Sequence, residues 1–193
     1  MKIASIQLEV FNIPITVPYR LAYGLISETK QYLITIKLEN GLEGYGVGTA
    51  DEHITGETDE SLLHALQESK IEWIIGNSIE KISEILKKIA IKFYKNPGAR
   101  CALDIAIHDI YGKYLNKPLV EILGRCHDSL PTSVTVGIGT NDEALNQIES
   151  YLLKGFNEIK IKTGDDLDKD IDRVLFIYSK FRNKIIIKID PNM

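Results

Sequence analysis

Hydrophobic and polar positions change rhythm twice along this chain. Residues 2–11 alternate, and residues 31–38 are rich in β-branched and aromatic side chains. The dipeptide Asn40-Gly41 divides that second run from a third over 42–47. Period two with an Asn-Gly break predicts antiparallel strands and a tight hairpin turn. From about Thr58 the apolar spacing becomes helical. Leu62, Leu63 and Leu66 form one stripe, and Ile82, Ile85, Leu86 and Ile89 form another. Asn96-Pro97-Gly98 opens a third helix, with Ala99, Ala102, Leu103, Ala106, Ile107 and Ile110 on its inner face. Its small alanines predict close approach to another element. Gly112 and Pro118 mark its end, and residues 118–124 form a last short turn.

Beyond about residue 130 strands alternate with helices. Strands are expected over 132–138, 158–162 and 185–190, and helices over 142–153 and 166–182. Asp165, Asp166 and Asp168 lead the second helix and Lys180 and Arg182 close it, which complements the helix dipole. That order predicts parallel pairing through right-handed crossovers. The expected organisation is an α+β domain over 1–125 and a β/α domain over 126–193.

Parity in the second half adds a constraint. Val134, Val136, Ile138, Ile159, Ile161, Ile185, Ile187 and Ile189 share one strand face. Ser133, Thr135, Gly137, Lys160, Lys162, Lys188 and Asp190 share the other. A doubly wound sheet buries both faces under helices. One polar face instead fits the inside of a barrel, where function gathers at the C-terminal strand ends. A full barrel takes eight strands and ~250 residues, so the chain is expected to be truncated, with an isoleucine-rich edge on its last strand.

Composition excludes several classes. The 193 residues are 44% hydrophobic and 26% charged, enough for a packed core. The net charge of −4 and the lack of a basic field argue against nucleic acid and anionic membrane as partners. No apolar run approaches ~20 residues, and the first ten residues lack a signal-peptide core. Cys101 and Cys126 lack metal-type spacing and read as free thiols, so a cytoplasmic address is expected. Gly44, Gly46 and Gly48 lead into no helix, so they serve close packing better than phosphate binding. His53, His64, His108 and His127 are scattered. His108, with Asp104 and Asp109 on its helix, is expected to make polar contacts to the barrel. Trp73 is expected in the core. The acidic run 165–172 is expected to be a solvated helix start, since it lacks the spacing of a calcium loop.

The chemistry-bearing set is Lys160, Lys162 and Asp190. Lys160 and Lys162 are two apart and so project to one side of a strand. Two neighbouring ammonium groups disfavour each other's protonation, and a lysine in that setting can accept a proton near neutral pH. Asp190 ends the next strand on the same face and could hold a hard cation. Each feature alone is common on ordinary strands; their shared parity one β/α unit apart is not.

These residues, with Ile54-Thr55-Gly56-Glu57-Thr58, Ala106-Ile107-His108-Asp109, Gly112 to Leu119, and Asp190-Pro191-Asn192, resemble the enolase superfamily. The similarity is to its muconate-lactonising subgroup and within that to the dipeptide epimerases, and it runs along the whole chain. The resemblance implies an α+β N-terminal capping domain followed by the first part of a (β/α) TIM-type barrel. It implies an isomerase that removes the proton beside a carboxylate through an enediolate. Lys162 would then be the acid/base on one face and Lys160 its tuning partner and carboxylate contact. Asp190 would be one of three ligands to a single Mg²⁺, supported by Asn192, and Thr135 would hold the dipeptide. A second base and two further ligands are implied beyond Met193. A homo-oligomer is implied on the same ground.

The sequence departs from the pattern in places. Val47 follows Gly44-Tyr45-Gly46 where a glutamate is usual, and Pro191 stands where alanine is common. Gly24 aligns with the arginine of alanyl-glutamate epimerases. With Tyr19, Arg20, Leu21 and Tyr23 nearby, this loop suits an apolar or aromatic dipeptide better than an acidic one, Arg20 and Tyr23 being the nearest candidate contacts. A muconate-type cycloisomerase and an o-succinylbenzoate-type synthase would use the same lysines and metal. A non-catalytic truncated fragment is the reading from another class.

Overall fold

The computed structural model describes residues 1–21 and 24–191, side chains at 17 and 19–21 excepted. The chain divides into two compact units, one of residues 1–14 and 28–126, the other of residues 15–27 and 127–193.

The antiparallel sheet has the order β1 (Ile3–Leu21), β2 (Gly24–Leu38), β3 (Glu43–Gly48). Strands β1 and β2 run well past the expected spans. Pro14 and Pro18 hide that continuation from a pattern reading, yet β1 is an edge strand, where a missing N–H is tolerated. Tyr32, Ile34, Ile36 and Leu38 alternate inward on β2 and are buried. The Asn40-Gly41 turn is as expected. Gly41 adopts φ 88°, and Leu42 N–H donates to Asn40 Oδ1 at 3.2 Å.

Short helices α1 (Glu52–Thr55), α2 (Asp59–Ala65) and α3 (Glu68–Ile71) and two 3-10 turns lead to α4 (Ile82–Lys92). Then come α5 (Pro97–Leu115) and α6 (Leu119–Leu123). Helix α5 lies directly on β3. A Cβ at Gly46 would stand 2.0 Å from the Ala102 carbonyl oxygen, and one at Gly48 would stand 2.1 Å from that of Gly98. The glycines are therefore packing residues, as expected. Three details differ. Leu63 is exposed, while Leu62 and Leu66 carry the burial of that stripe. Helix α5 runs through Gly112 and ends at Asn116, which takes the left-handed conformation at φ 52°. Trp73 sits at the rim of the core, its ring covered by the Lys88 ammonium at 4.1 Å.

The second sheet is parallel, in the order β4 (Ser133–Val136), β5 (Glu158–Lys162), β6 (Ile186–Asp190). Helix α7 (Asn141–Leu153) connects β4 to β5, and α8 (Leu167–Phe181) connects β5 to β6. Each starts on a local cap. Thr140 and Glu143 form a capping box, and the Asp166 carboxylate accepts from the N–H groups of Asp168 and Lys169. Val136, Ile159 and Ile161 pack under Ala144, Ile148, Ile177 and Phe181. Ile189, on the same parity, is exposed on β6. Among the described residues no helix is long and apolar enough to cross a membrane. Cys101 and Cys126 are exposed and free of disulfides.

Candidate active site at the strand ends of the parallel sheet

Register converts sequence parity into rows. Thr135 pairs with Lys160 and Lys160 with Lys188, so one row of the polar face reads Thr135, Lys160, Lys188. One step toward the strand ends, Lys162 lies opposite Asp190. Side chains two apart share a face, and here they converge. Lys162 Nζ donates to Asp190 Oδ2 at 2.7 Å, and Lys160 Nζ stands 3.4 Å from the same oxygen. Lys162 is buried, whereas Lys160 and Asp190 are half-buried. Two cations thus share one carboxylate oxygen at the end of the sheet.

Lys188 points the other way. Its ammonium donates to Ser133 Oγ at 2.9 Å and to Glu158 Oε2 at 2.5 Å, one row toward the strand starts. The polar face therefore holds two charge groups. The lower one is internally balanced, and the upper one carries an excess positive charge.

The other predicted site residues fare differently. Thr135 shares a row with Lys160, and its backbone carbonyl accepts from the Tyr151 hydroxyl at 3.2 Å. Arg20 lies on β1 with its side chain undescribed, and Tyr23 and Asn192 lie outside the described residues. His108 Nδ1 contacts Asp104 Oδ1 at 3.0 Å, and Asp109 accepts from Tyr45 N–H and Lys113.

One pair escaped the pattern reading. Asp170, expected in a solvated acidic run, is buried against Arg173, also buried, with Arg173 Nη2 2.9 Å from Asp170 Oδ1. A carboxylate and a guanidinium three apart on a helix resemble any surface pair. The discriminating signal is phase: both fall on the inward side of α8 together with Ile177.

Mg²⁺ takes near-octahedral oxygen coordination from carboxylates and waters. Among the described residues no cluster of three His, Cys, Asp or Glu side chains forms a complete site. The donor chemistry at the strand end fits one ligand, the Asp190 carboxylate.

Comparison with known proteins adds to this geometry. Residues 5–124 match the family described as "Mandelate racemase / muconate lactonizing enzyme, N-terminal domain". The chain is 38% identical over 192 residues to the L-Lys-D/L-Arg epimerase of Methylococcus capsulatus, covering 100% of this chain and 54% of that protein. A crystal structure of the dipeptide epimerase from that organism, complexed with Mg and L-Arg-D-Lys, superposes with a TM-score of 0.95. It is 38% identical and covers 100% of this chain and 54% of that one. A dipeptide epimerase from Enterococcus faecalis, complexed with Mg and L-Leu-L-Tyr, superposes at 0.88 with 31% identity, covering 100% and 54%. The chain spans about half the length of the curated relatives it matches.

Proposed function

We propose, for a chain that belongs to the mandelate racemase / muconate lactonizing enzyme family, that it supplies one base and one metal ligand to a Mg²⁺-dependent dipeptide epimerase. Its antiparallel unit is that family's N-terminal capping domain, and its parallel sheet is the start of the β/α barrel. The observation that carries the proposal is the placement of Lys162 and Lys160 on the same Asp190 oxygen, at 2.7 and 3.4 Å.

The roles follow from chemistry. Removing a proton beside a carboxylate leaves an enediolate whose negative charge needs concentrated positive charge. A Mg²⁺ held by Asp190 would supply part of that charge when bound. Lys162, in its neutral form, takes the α-proton at Nζ and is left as an ammonium. Lys160 keeps a second positive charge on the same side and faces the substrate carboxylate. Thr135, in the row of Lys160, offers a hydroxyl to the dipeptide backbone. Proton return on the opposite face inverts the centre, and the group that returns it lies outside these residues.

The substrate side chains have two readings. The relative at 38% identity is named for lysyl-arginine dipeptides, which supports a cationic substrate. Exposed Leu25, just after the Tyr19–Tyr23 stretch, supports an apolar or aromatic one, as does the Leu-Tyr ligand of the Enterococcus faecalis structure. The reaction would run in the cytoplasm, where two exposed free thiols remain reduced, and in a homo-oligomer.

The test is proton–deuterium exchange at the α-carbon in D₂O, using the longest natural polypeptide that carries this chain. Lys-Arg, Leu-Tyr and Ala-Glu dipeptides are compared with Mg²⁺ and after chelation. Exchange that requires Mg²⁺ is expected, faster with Lys-Arg or Leu-Tyr than with Ala-Glu. No exchange with any of them would end the epimerase reading. Comparable turnover of Ala-Glu and Leu-Tyr would end the apolar one.

A further inference from the structure

We propose that Asp170 and Arg173 are positioning residues for the base Lys162, fixing the exit of β5 from beneath; this rests on the role assigned above to Lys162. Both side chains are at least nine-tenths buried on the inner side of α8. Arg173 Nη2 donates to the backbone carbonyl of Lys162 itself and to Asp170 Oδ1, while Nη1 donates to the Gly139 carbonyl at 3.2 Å. Asp170 Oδ2 accepts the Gly164 N–H at 2.6 Å. Between those anchors Thr163 N–H donates to the Asp190 carbonyl at 3.1 Å.

One backbone group on each of three successive residues, Lys162 C=O, Thr163 N–H and Gly164 N–H, is therefore held, two of them by the one ion pair. The loop has no slack beyond them. Gly164 stands at φ 110°, and a Cβ there would lie 2.7 Å from the Pro191 carbonyl oxygen. The same guanidinium also ties Gly139, in the segment that leaves β4, to the exit of β5. It thus links the strand of Thr135 to the strand of Lys160 and Lys162.

Stability does not account for this arrangement. Arg173 Nε is buried and has no acceptor among the described residues. A buried ion pair with an unmet donor is a poor stabiliser, and well-packed apolar residues of similar volume often do as well or better. Apolar residues could not grip a carbonyl and an amide at a strand exit. A base held by a fixed backbone meets the α-proton in one geometry, and a displacement of about 1 Å can cost about 10²-fold in rate.

The test uses Arg173→Met, Arg173→Lys and the double variant Asp170→Leu/Arg173→Met in the longest natural polypeptide that carries this chain. Arg173→Met is expected to lower kcat about 10²-fold while KM changes by less than about threefold. Arg173→Lys, which can still reach one carbonyl, recovers part of kcat. The double variant, with no charge left unpaired, melts above Arg173→Met yet keeps the low kcat. A role limited to stability would not produce that split. Parent-like kcat in the folded double variant overturns the proposal, and so does an effect confined to KM. Amide hydrogen exchange at residue 164 is read in parallel, and it should be about 10²-fold faster in the double variant, where the Asp170 acceptor of the Gly164 N–H is gone. Unchanged protection there also overturns the proposal. If the parent exchanges no substrate proton, the epimerase reading fails, and the amide measurement still decides the positioning role.

Discussion

Helices α5 and α8 each lie on a sheet, and α5 meets β3 by means opposite to those with which α8 meets the exit of β5. Helix α5 approaches β3 by having almost no side chains at the contact. Gly44, Gly46 and Gly48 face Ala102, Ala106, the Ile110 Cβ and the helix backbone, where an added Cβ would sit within 2.4 Å of the nearest atom at each glycine. Helix α8 meets the β5 exit through a buried carboxylate and guanidinium that bond to backbone atoms. The first contact fixes a distance and leaves no polar group to satisfy. The second fixes the direction of a particular strand end at the cost of burying charge. A scaffold needs the former. A strand whose last residue is a proposed base needs the latter.

The largest expected effect tests whether the charges of the parallel sheet serve chemistry rather than folding. Lys162→Met should reduce α-proton exchange by about 10³-fold or more. The melting temperature should stay within a few degrees, because Asp190 retains Lys160 at 3.4 Å and methionine fills a similar volume. Thermal denaturation beside the exchange assay separates the two outcomes. A variant that unfolds would show that the upper charge group supports the fold, and the contrast between the two helices would collapse.

Next comes the glycine contact. Gly46→Ala would place a methyl 2.0 Å from the Ala102 carbonyl oxygen and 2.4 Å from Ala106 N, both backbone atoms that cannot step aside. Forcing α5 off β3 should cost about 3 kcal/mol, the upper part of the range for overpacking. Chemical denaturation measures it. The kcat of the remaining folded enzyme should hold. A cost below about 1 kcal/mol would mean that the helix and strand slide apart freely, and the contact would not set a distance at all.

Much of this was legible in the sequence, and the reasons are physical. Period-two parity is a local property, so Lys160, Lys162 and Asp190 could be assigned to one face before any register was known. Alanine and glycine spacing likewise foretold the close contact of α5. What stayed hidden was whatever depended on a distant partner. The length of β1 and β2 rests on cross-strand pairing that Pro14 and Pro18 mask. Leu63 reads as part of a stripe until packing decides which side is inside. Asp170 looks solvated beside Asp165, Asp166 and Asp168 until Arg173 and the Gly164 N–H enclose it. The far half of the proposed site is of the same kind. Nothing within Asp190-Pro191 reports which groups would meet Asp190 from other strands.

The smallest effect sharpens the contrast at the helix starts. The N-cap of α5, Asn96, makes no side-chain cap bond; Glu57, 41 positions before Gly98, accepts the Gly98 N–H at 2.5 Å instead. Helix α7 is capped locally. Thr140 Oγ1 accepts the Glu143 N–H at 3.2 Å, and the Glu143 carboxylate accepts the Thr140 N–H at 2.8 Å. Thr140→Ala should cost about 1 kcal/mol. The loss should depend on pH in a definite sense. The Thr140 backbone N–H, and then its hydroxyl, hold the Glu143 carboxyl below its ordinary value. A group depressed on folding contributes stability above its unfolded pKa, and that contribution disappears as pH falls through the folded one. Alanine keeps the backbone N–H, so only the part of the difference carried by the Thr140 hydroxyl on the Glu143 carboxylate, at 3.0 Å, should shrink on acidification below the usual carboxylate range. A difference that persisted unchanged into strong acid would assign the whole loss to Thr140 Oγ1 accepting the Glu143 N–H, and the hydroxyl's contact with the Glu143 carboxylate would contribute nothing.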